Sequence, residues 1–179
     1  MKSNAVRDQI MDTASRLFYT QGYNNTGINQ IIGEAGIAKA SLYQHFRSKE
    51  DLLIEYLELA GLRMNDMLHV AIDAQQDPKD KITAVFDLLD QLTRRKAFNG
   101  CRFLNIISEV PVTNERIREQ VKAQKDSVRK LFREILSPLK KEEVADELYL
   151  LFEAVFISSK IYGQGWPVSL ARKMAQKLI

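Results

Sequence analysis

The sequence predicts an all-α protein. Apolar residues recur at helical spacing along almost the whole chain, whereas the two-residue alternation of a half-buried strand is nearly absent. Only four prolines and eight glycines interrupt the 179 residues. The content of 45% hydrophobic and 27% charged residues is typical of a globular protein, and the length suits one large domain or two small ones that share a core.

Three closely spaced helices are predicted first. One runs from about Asn4 to Gln21 and ends at Gly22, a residue that commonly follows a helix. The second spans about Gly27 to Glu34. The third spans about Ala38 to His45, and Gly36 separates these two short helices.

Five or six further helices follow from the same spacing. The segment Ser48-Lys-Glu-Asp51 resembles a capping box and starts a long helix that reaches about Ala74. The chain then restarts at Asp77-Pro78, and Pro167 suits the first turn of the last helix. The later helices are predicted at about Lys79–Arg95, Arg102–Glu109, Asn114–Leu136, Lys141–Tyr162 and Pro167–Ile179.

The two short helices around Gly36 have the spacing of a helix-turn-helix, in which the second helix enters the DNA major groove. Their expected core is Ile31, Ala35, Ile37 and Leu42. With Leu42 and Phe46 also buried, the remaining side chains of the second helix face outward.

No acidic residue occurs from Ala35 to Lys49. The outward-facing lysine, serine, tyrosine and glutamine of this segment can bind phosphates or base edges. Net charge is only +3, so the position of the charge matters more than its total. From composition alone, a solvated cationic helix is an equally good interpretation.

A longer motif distinguishes these interpretations. It reads Thr26-x4-Ile31-x3-Ala35-Gly36-Ile37-Ala38-Lys39-Ala40-Ser41-Leu42-Tyr43-x-His45-Phe46-x2-Lys49-Glu50-x-Leu52, preceded by Leu17-Phe18-x3-Gly22-Tyr23. This pattern closely resembles the N-terminal signature of TetR-family transcriptional regulators over about the first 55 residues. Ile32, Ala38 and Ala40 depart from it, and Ala38 removes a side-chain N-cap typically worth about 1 kcal/mol.

The resemblance implies a three-helix helix-turn-helix DNA-binding domain over residues 1–48. Residues 49–179 would form a helical domain for effector binding and dimerisation. The protein would bind palindromic operator DNA as a homodimer, most often as a repressor, and a small effector would release it. The DNA-binding residues implied by position in the motif are Thr26, Lys39, Ala40, Ser41, Tyr43, Gln44, His45 and Lys49.

The C-terminal half suggests the remaining sites. The apolar stripe between Leu148 and Tyr162 is wider than one neighbouring helix needs, which favours a symmetric interface between two copies, although both last helices could also be internal core. The predicted interface residues are Leu148, Leu151, Phe152, Val155, Phe156, Ser159, Leu170 and Met174.

Methionine and aromatic side chains can line an adaptable pocket for an apolar or aromatic effector, although most residues at such spacing are plain core. The candidates for this ligand-binding pocket are Met64, Met67, Leu68, Phe86, Leu89, Phe103, Leu104, Ile107, Phe152, Phe156, Tyr162 and Trp166.

Other functions find less support. The lone Cys101 beside Arg102 suggests a redox or electrophile sensor, but a single cysteine is more often buried filler. No motif ties Cys101, His45 and His69 into an enzyme site, and we expect no cofactor and no metal site. A protein that coats DNA without sequence preference is a further alternative. The absence of a signal-peptide pattern and of a long apolar run predicts a cytoplasmic protein with no membrane partner.

Overall fold

The computed structural model describes residues 2–179, with side chains from residue 5 onward. Within these residues the chain forms α-helices and short 3-10 turns but no β-strand, which confirms the predicted fold class. The helices are α1 (Lys2–Thr20), α2 (Ile28–Ala35), α3 (Lys39–His45), α4 (Lys49–Asp73), α5 (Pro78–Thr93), α6 (Arg102–Glu109), α7 (Glu115–Leu136), α8 (Ala145–Tyr162) and α9 (Trp166–Leu178).

Most predicted helix ends lie within two residues of the observed ones; α8 is the exception. It begins at Ala145 and not near Lys141, because Lys140 takes a left-handed conformation (φ 55°) and 3-10 turns occupy Ser137–Leu139 and Glu142–Val144. Ser48 caps α4 as predicted, since the Asp51 amide donates to Ser48 Oγ at 3.0 Å.

Two compact units divide the chain. Unit 1 contains the residues up to Ala60 together with Arg102–Val121, and unit 2 contains Gly61–Cys101 and Lys122–Ile179. This division does not follow the predicted boundary between residues 48 and 49. The start of α4 belongs to unit 1, and its Leu52, Leu53 and Leu57 are fully buried.

Unit 1 holds α2 and α3 against α1. The Phe18 ring of α1 packs edge-on against Tyr23 and Tyr56, with centroids 5.4 and 5.7 Å away. Gln9 Nε2 of α1 donates to the last carbonyl of α2, at Ala35, over 2.6 Å. A small apolar core with polar ties at its rim therefore sets the position of both short helices.

Unit 2 is built on a core shared by α5, α8 and α9. Phe152 of α8 packs edge-on against Phe132 of α7 and against Phe156, with centroid distances of 6.0 and 5.3 Å. The side chains of Phe86 and Leu89 in α5 are completely buried. No helix in residues 2–179 is long and apolar enough to cross a membrane.

Candidate functional site

The turn between α2 and α3 depends on one glycine. Gly36 adopts a left-handed conformation, with φ 63° and ψ 34°, which a residue bearing a Cβ adopts only with strain. The amide of Ile37 then donates to the carbonyl of Ile32 at 3.2 Å, which closes the C-terminus of α2. The chain can therefore reverse within three residues and place α3 across α2.

The side chains of α3 divide as the sequence predicted. Leu42 and, just beyond the helix, Phe46 are buried. The remaining α3 side chains form what we call the α3 polar face. Lys39, Ala40, Tyr43 and Gln44 are exposed in it, while Ser41 and His45 are half-buried. All six predicted α3 residues are thus at the surface or at its edge, on a single helix.

The α3 polar face has no acidic residue of its own, and its helix has no side-chain cap. Ala38 occupies the N-cap position with extended backbone (φ −73°, ψ 146°), as the sequence predicted. The first-turn amides of α3 are therefore left without a cap from that side chain. Cationic and hydrogen-bonding groups at the surface suit a polyanion better than they suit another helix.

Thr26 does not have the exposure expected of a phosphate ligand. Its side chain is 0% exposed, its hydroxyl donates to the Gly22 carbonyl at 2.6 Å, and it accepts from Gln21 Nε2 at 3.3 Å. The helix that Thr26 was expected to open starts two residues later, with Gly27 as its N-cap. Thr26 therefore stabilises the turn between α1 and α2, and its contact with a DNA phosphate stays a prediction.

Lys49 begins α4 and is half-buried. Its ammonium lies 4.0 Å from the ring centroid of Tyr23, a cation–π contact. Burial lowers the pKa of Lys49, and the charge of Glu109 partly offsets the decrease. A second candidate DNA contact thus lies in unit 1 outside α3.

Sequence reasoning missed the contribution of residues 102–121 to this unit. Glu109 of α6 accepts from the backbone amide of Asn24 at 2.8 Å, and Asn114 Nδ2 donates to Glu50 at 2.9 Å. Arg116 of α7 donates to Asp51 at 2.7 Å. These pairs are 64 to 85 residues apart in the chain, so no local spacing pattern could have indicated them.

The residues predicted to line an effector pocket do not all lie in one unit. Phe103, Leu104 and Ile107 belong to unit 1, and the other nine belong to unit 2. Tyr162 and Trp166 are exposed and contact each other, with ring centroids 5.0 Å apart. These last two side chains therefore lie on the surface and not in an interior cavity.

Two of the surface cavities of unit 2 receive little contribution from the predicted pocket residues. One, of about 180 Å³ between α4 and α7, is bordered by Leu68. The other, of about 460 Å³ between α5 and α9, is bordered by Phe86 but mainly by charged side chains such as Arg94 and Arg172. Neither has the largely apolar lining expected for an apolar effector.

The predicted dimer residues lie mostly inside the chain. Leu148, Phe152, Val155, Phe156 and Ser159 are buried, and Leu151 is half-buried, whereas Leu170 and Met174 are exposed. The first five contact the core of unit 2, so they have little surface left to bury against a second copy. This corrects that part of the prediction.

Another side of the same two helices is apolar and exposed. Its members recur at helical spacing on α8 and continue on α9. We call this surface the α8–α9 apolar face, and it consists of Leu150, Ile157, Ile161, Tyr162, Trp166, Leu170 and Met174.

Cys101 lies in a charged environment within unit 2. Its thiol is buried, and Lys125 Nζ lies 3.4 Å from the sulfur. The same ammonium donates to both oxygens of Glu153 at 2.8 Å. Burial lowers the pKa of Lys125, but interactions with Cys101 and Glu153 raise it above its ordinary value overall. Across residues 2–179, no group of three His, Cys, Asp or Glu side chains could hold a metal ion.

The family model described as "Bacterial regulatory proteins, tetR family" matches residues 10–56. The chain is 34% identical over 114 residues to the uncharacterised HTH-type transcriptional regulator YxaF of Bacillus subtilis, covering 63% of this chain and 60% of that protein. It is 35% identical over 115 residues to LmrA of the same organism, an HTH-type transcriptional regulator, covering 63% and 61%. The chain thus spans about three fifths of these relatives.

The fold also matches solved structures. SCO4454 of Streptomyces coelicolor, a TetR-family transcriptional regulator, superposes with a TM-score of 0.92 over 97% of this chain and 93% of that one. Sequence identity is only 23%, so this likeness concerns the fold.

Proposed function

The chain belongs to the TetR family of transcriptional regulators, and on this premise we propose that it is a homodimeric repressor of palindromic operators that a small effector releases. The observation that carries the DNA-binding part is the α3 polar face. Six candidate contact residues lie on one short helix, free of acidic residues, beyond a turn that Gly36 closes. Its relatives are named as regulators, which supports regulation and not catalysis.

Each residue of the α3 polar face has a chemical role in this proposal. Lys39, Ala40 and Ser41 open the helix and would lie nearest the bases, where lysine can donate to guanine and alanine can contact a thymine methyl. Tyr43 and His45 would bind the backbone, and Gln44 would reach a further base edge. Lys49 would bind a phosphate from the start of α4.

The dimer proposal rests on the α8–α9 apolar face. Seven large apolar side chains between 45% and 68% exposed lie on two consecutive helices, which is unusual for a surface that stays in water. Two copies related by a twofold axis would bury these helices in a four-helix interface. The same axis would place two copies of α3 one helical turn, or a multiple of it, apart along the DNA.

We assign effector binding to unit 2. An apolar or aromatic molecule would have to enter the aromatic core around Phe152 and Phe156, because the two cavities described above are bordered largely by polar and charged side chains. The Lys125–Glu153 pair adds a polar group that the sequence did not suggest. An effector that binds more tightly to a dimer with the wrong α3 spacing would shift the population away from DNA.

Selection of bound fragments from random DNA tests the whole proposal. A palindrome with half-sites one helical turn or a multiple apart should be recovered, and the protein should prefer it to unrelated DNA by about a thousandfold or more at fixed salt. Equal binding to all duplexes would favour a DNA-coating protein instead. No binding to any duplex at low ionic strength would refute the proposal.

A second function, electrophile or oxidant sensing at Cys101, is favoured by the Lys125 contact. The Lys125 ammonium lies 3.4 Å from the Cys101 sulfur, and cationic surroundings are typical of reactive cysteines. Treatment with iodoacetamide should then transfer an acetamide group to the sulfur, release iodide and lower operator affinity in the wild type but not in Cys101→Ser. If modified and unmodified protein bind the selected palindrome equally, this sensor role is excluded.

A further inference from the structure

We propose that Glu109 is a positioning residue for DNA binding whose carboxylate competes with a DNA phosphate for Lys49. In the unbound protein Glu109 would be the anionic neighbour of the Lys49 ammonium, and in the complex the phosphate would take that role. This inference rests on the proposed contact between Lys49 and DNA. The test distinguishes a failure of that contact from a failure of the role proposed for Glu109.

Glu109 is tied to the turn between α1 and α2 at two points. Its carboxylate accepts from the Asn24 backbone amide, and its main-chain carbonyl accepts from Asn24 Nδ2, both at 2.8 Å. The carboxylate also fills the space beside Gly22, since one oxygen lies only 2.9 Å from where a Cβ at that position would be. Gly22 has a φ of 92°, so both its backbone and its surroundings suit glycine.

The same turn holds Lys49. Tyr23 lies between Gly22 and Asn24 in the chain, and its ring is the surface on which the Lys49 ammonium rests, 4.0 Å from the centroid. The charge of Glu109 opposes the lowering of the Lys49 pKa that burial causes. Lys49 and Glu109 are therefore close enough for their charges to interact. Glu109 accepts its hydrogen bonds from Asn24, whereas Lys49 contacts the ring of Tyr23.

This arrangement has opposite effects on DNA binding. The hydrogen bonds from Asn24 fix the turn that supports Lys49, which favours binding by positioning the ammonium in advance. The negative charge attracts Lys49 and repels an incoming phosphate, which opposes binding. Glutamine in place of Glu109 separates the two effects, because its amide oxygen can still accept from the Asn24 amide while the charge is lost.

The test compares wild type, Glu109→Gln, Lys49→Ala and the double variant. Binding of each to a random-sequence DNA duplex is measured by fluorescence anisotropy across a salt series, since a phosphate contact is independent of sequence. Lys49→Ala should weaken binding and reduce the salt slope by about one unit. Glu109→Gln should bind about two- to fivefold more tightly than wild type, in the range of an exposed ion pair. In the Lys49→Ala background, the gain from Glu109→Gln should fall to that of the control variant described next, because only the direct repulsion between carboxylate and phosphate is then removed.

Glu115→Gln is the matched control, because Glu115 is an exposed carboxylate at the start of α7 in the same unit. The inference is overturned if Glu109→Gln changes affinity no more than this control does, or changes it equally with and without Lys49. If Lys49→Ala itself binds like wild type, the proposed Lys49 contact fails first. Thermal unfolding checks that each variant is folded, and Glu109→Asn provides a second uncharged variant if glutamine destabilises the turn.

Discussion

The short helix α3 and the long helix α8 both expose side chains that a helix in water does not need, but of opposite chemistry. On α3 these are polar and cationic groups without an acidic residue among them. On α8 they are apolar residues, such as Ile157 and Ile161, which are half or more exposed. Each surface is suited to a different partner: a polyanion for α3 and a second apolar surface for α8.

The two helices also differ in how they are held. Within α3 only Leu42 is buried, and the turn at Gly36 sets the orientation of the helix. In contrast, α8 buries Leu148, Phe152, Val155, Phe156 and Ser159 while it also exposes apolar residues on another side. When a helix has one apolar face, helical spacing alone predicts which side is exposed. When it has two apolar faces, spacing does not predict which of them is buried.

The largest effect is expected from a charge on the α8–α9 apolar face. Ile161→Asp would bury an unpaired carboxylate in the proposed dimer, at a cost of about 3 kcal/mol or more, so dimer affinity should fall at least about a hundredfold. Light scattering at micromolar protein should then report a monomer, and operator binding should fall in parallel.

Leu62→Asp is the control for this change. Leu62 is 61% exposed on α4 in unit 2 and lies outside the α8–α9 apolar face, whereas Ile161 is 68% exposed. By light scattering, Leu62→Asp should have the same dimeric mass as the wild type. A dimeric Ile161→Asp protein would show that the two copies meet elsewhere.

The next largest effect is expected at Lys39, the first residue of α3. Lys39→Ala should weaken binding to the selected palindrome by about 1–3 kcal/mol, because it removes a cation at the proposed base-reading end. Lys130→Ala provides a comparison, since Lys130 is an exposed lysine of α7 in unit 2. Gel-shift titrations at one salt concentration compare the two. Equal affinities for both variants would mean that α3 is not the reading helix.

A smaller effect is expected from one hydroxyl on the same helix. Tyr43→Phe keeps the ring, which is 45% exposed, and removes only the group proposed to donate to a phosphate. Loss of a hydrogen bond to a charged partner should cost about 1.5 kcal/mol, or roughly tenfold in affinity. Thermal unfolding should be unchanged, and unaltered affinity would show that the Tyr43 hydroxyl does not bind a phosphate.

The smallest effect concerns the buried side of α8. Ser159 is 4% exposed, and its hydroxyl has no hydrogen-bond partner in the described part of the chain. Ser159→Ala should therefore raise the free energy of unfolding by about 1 kcal/mol. Ser158→Ala, at the half-buried neighbour, provides the helix-propensity baseline in urea unfolding at equal protein concentration. A gain no larger than that of Ser158→Ala would indicate that Ser159 has a partner in solution.

Much of unit 1 could be predicted because its determinants are close together in the chain. Gly36 and Leu42 define the turn and the inner side of α3 within seven residues. Thr26 shows that closeness in the chain is not sufficient: its type suits a phosphate ligand, but its hydroxyl donates to the Gly22 carbonyl only four residues away. A side-chain type indicates what a residue can bind, and burial decides whether it is available.

The order and type of the helices and the polar character of α3 were determined by the sequence itself. Helical periodicity, glycine conformation and capping act over a few residues, and these can be read directly from neighbouring positions. Only the tertiary structure decided that residues 102–121 join unit 1, that Glu109 contacts Asn24, and which apolar side of α8 is buried. These features depend on which distant segments meet, because burial is a property of the packed chain and not of local spacing.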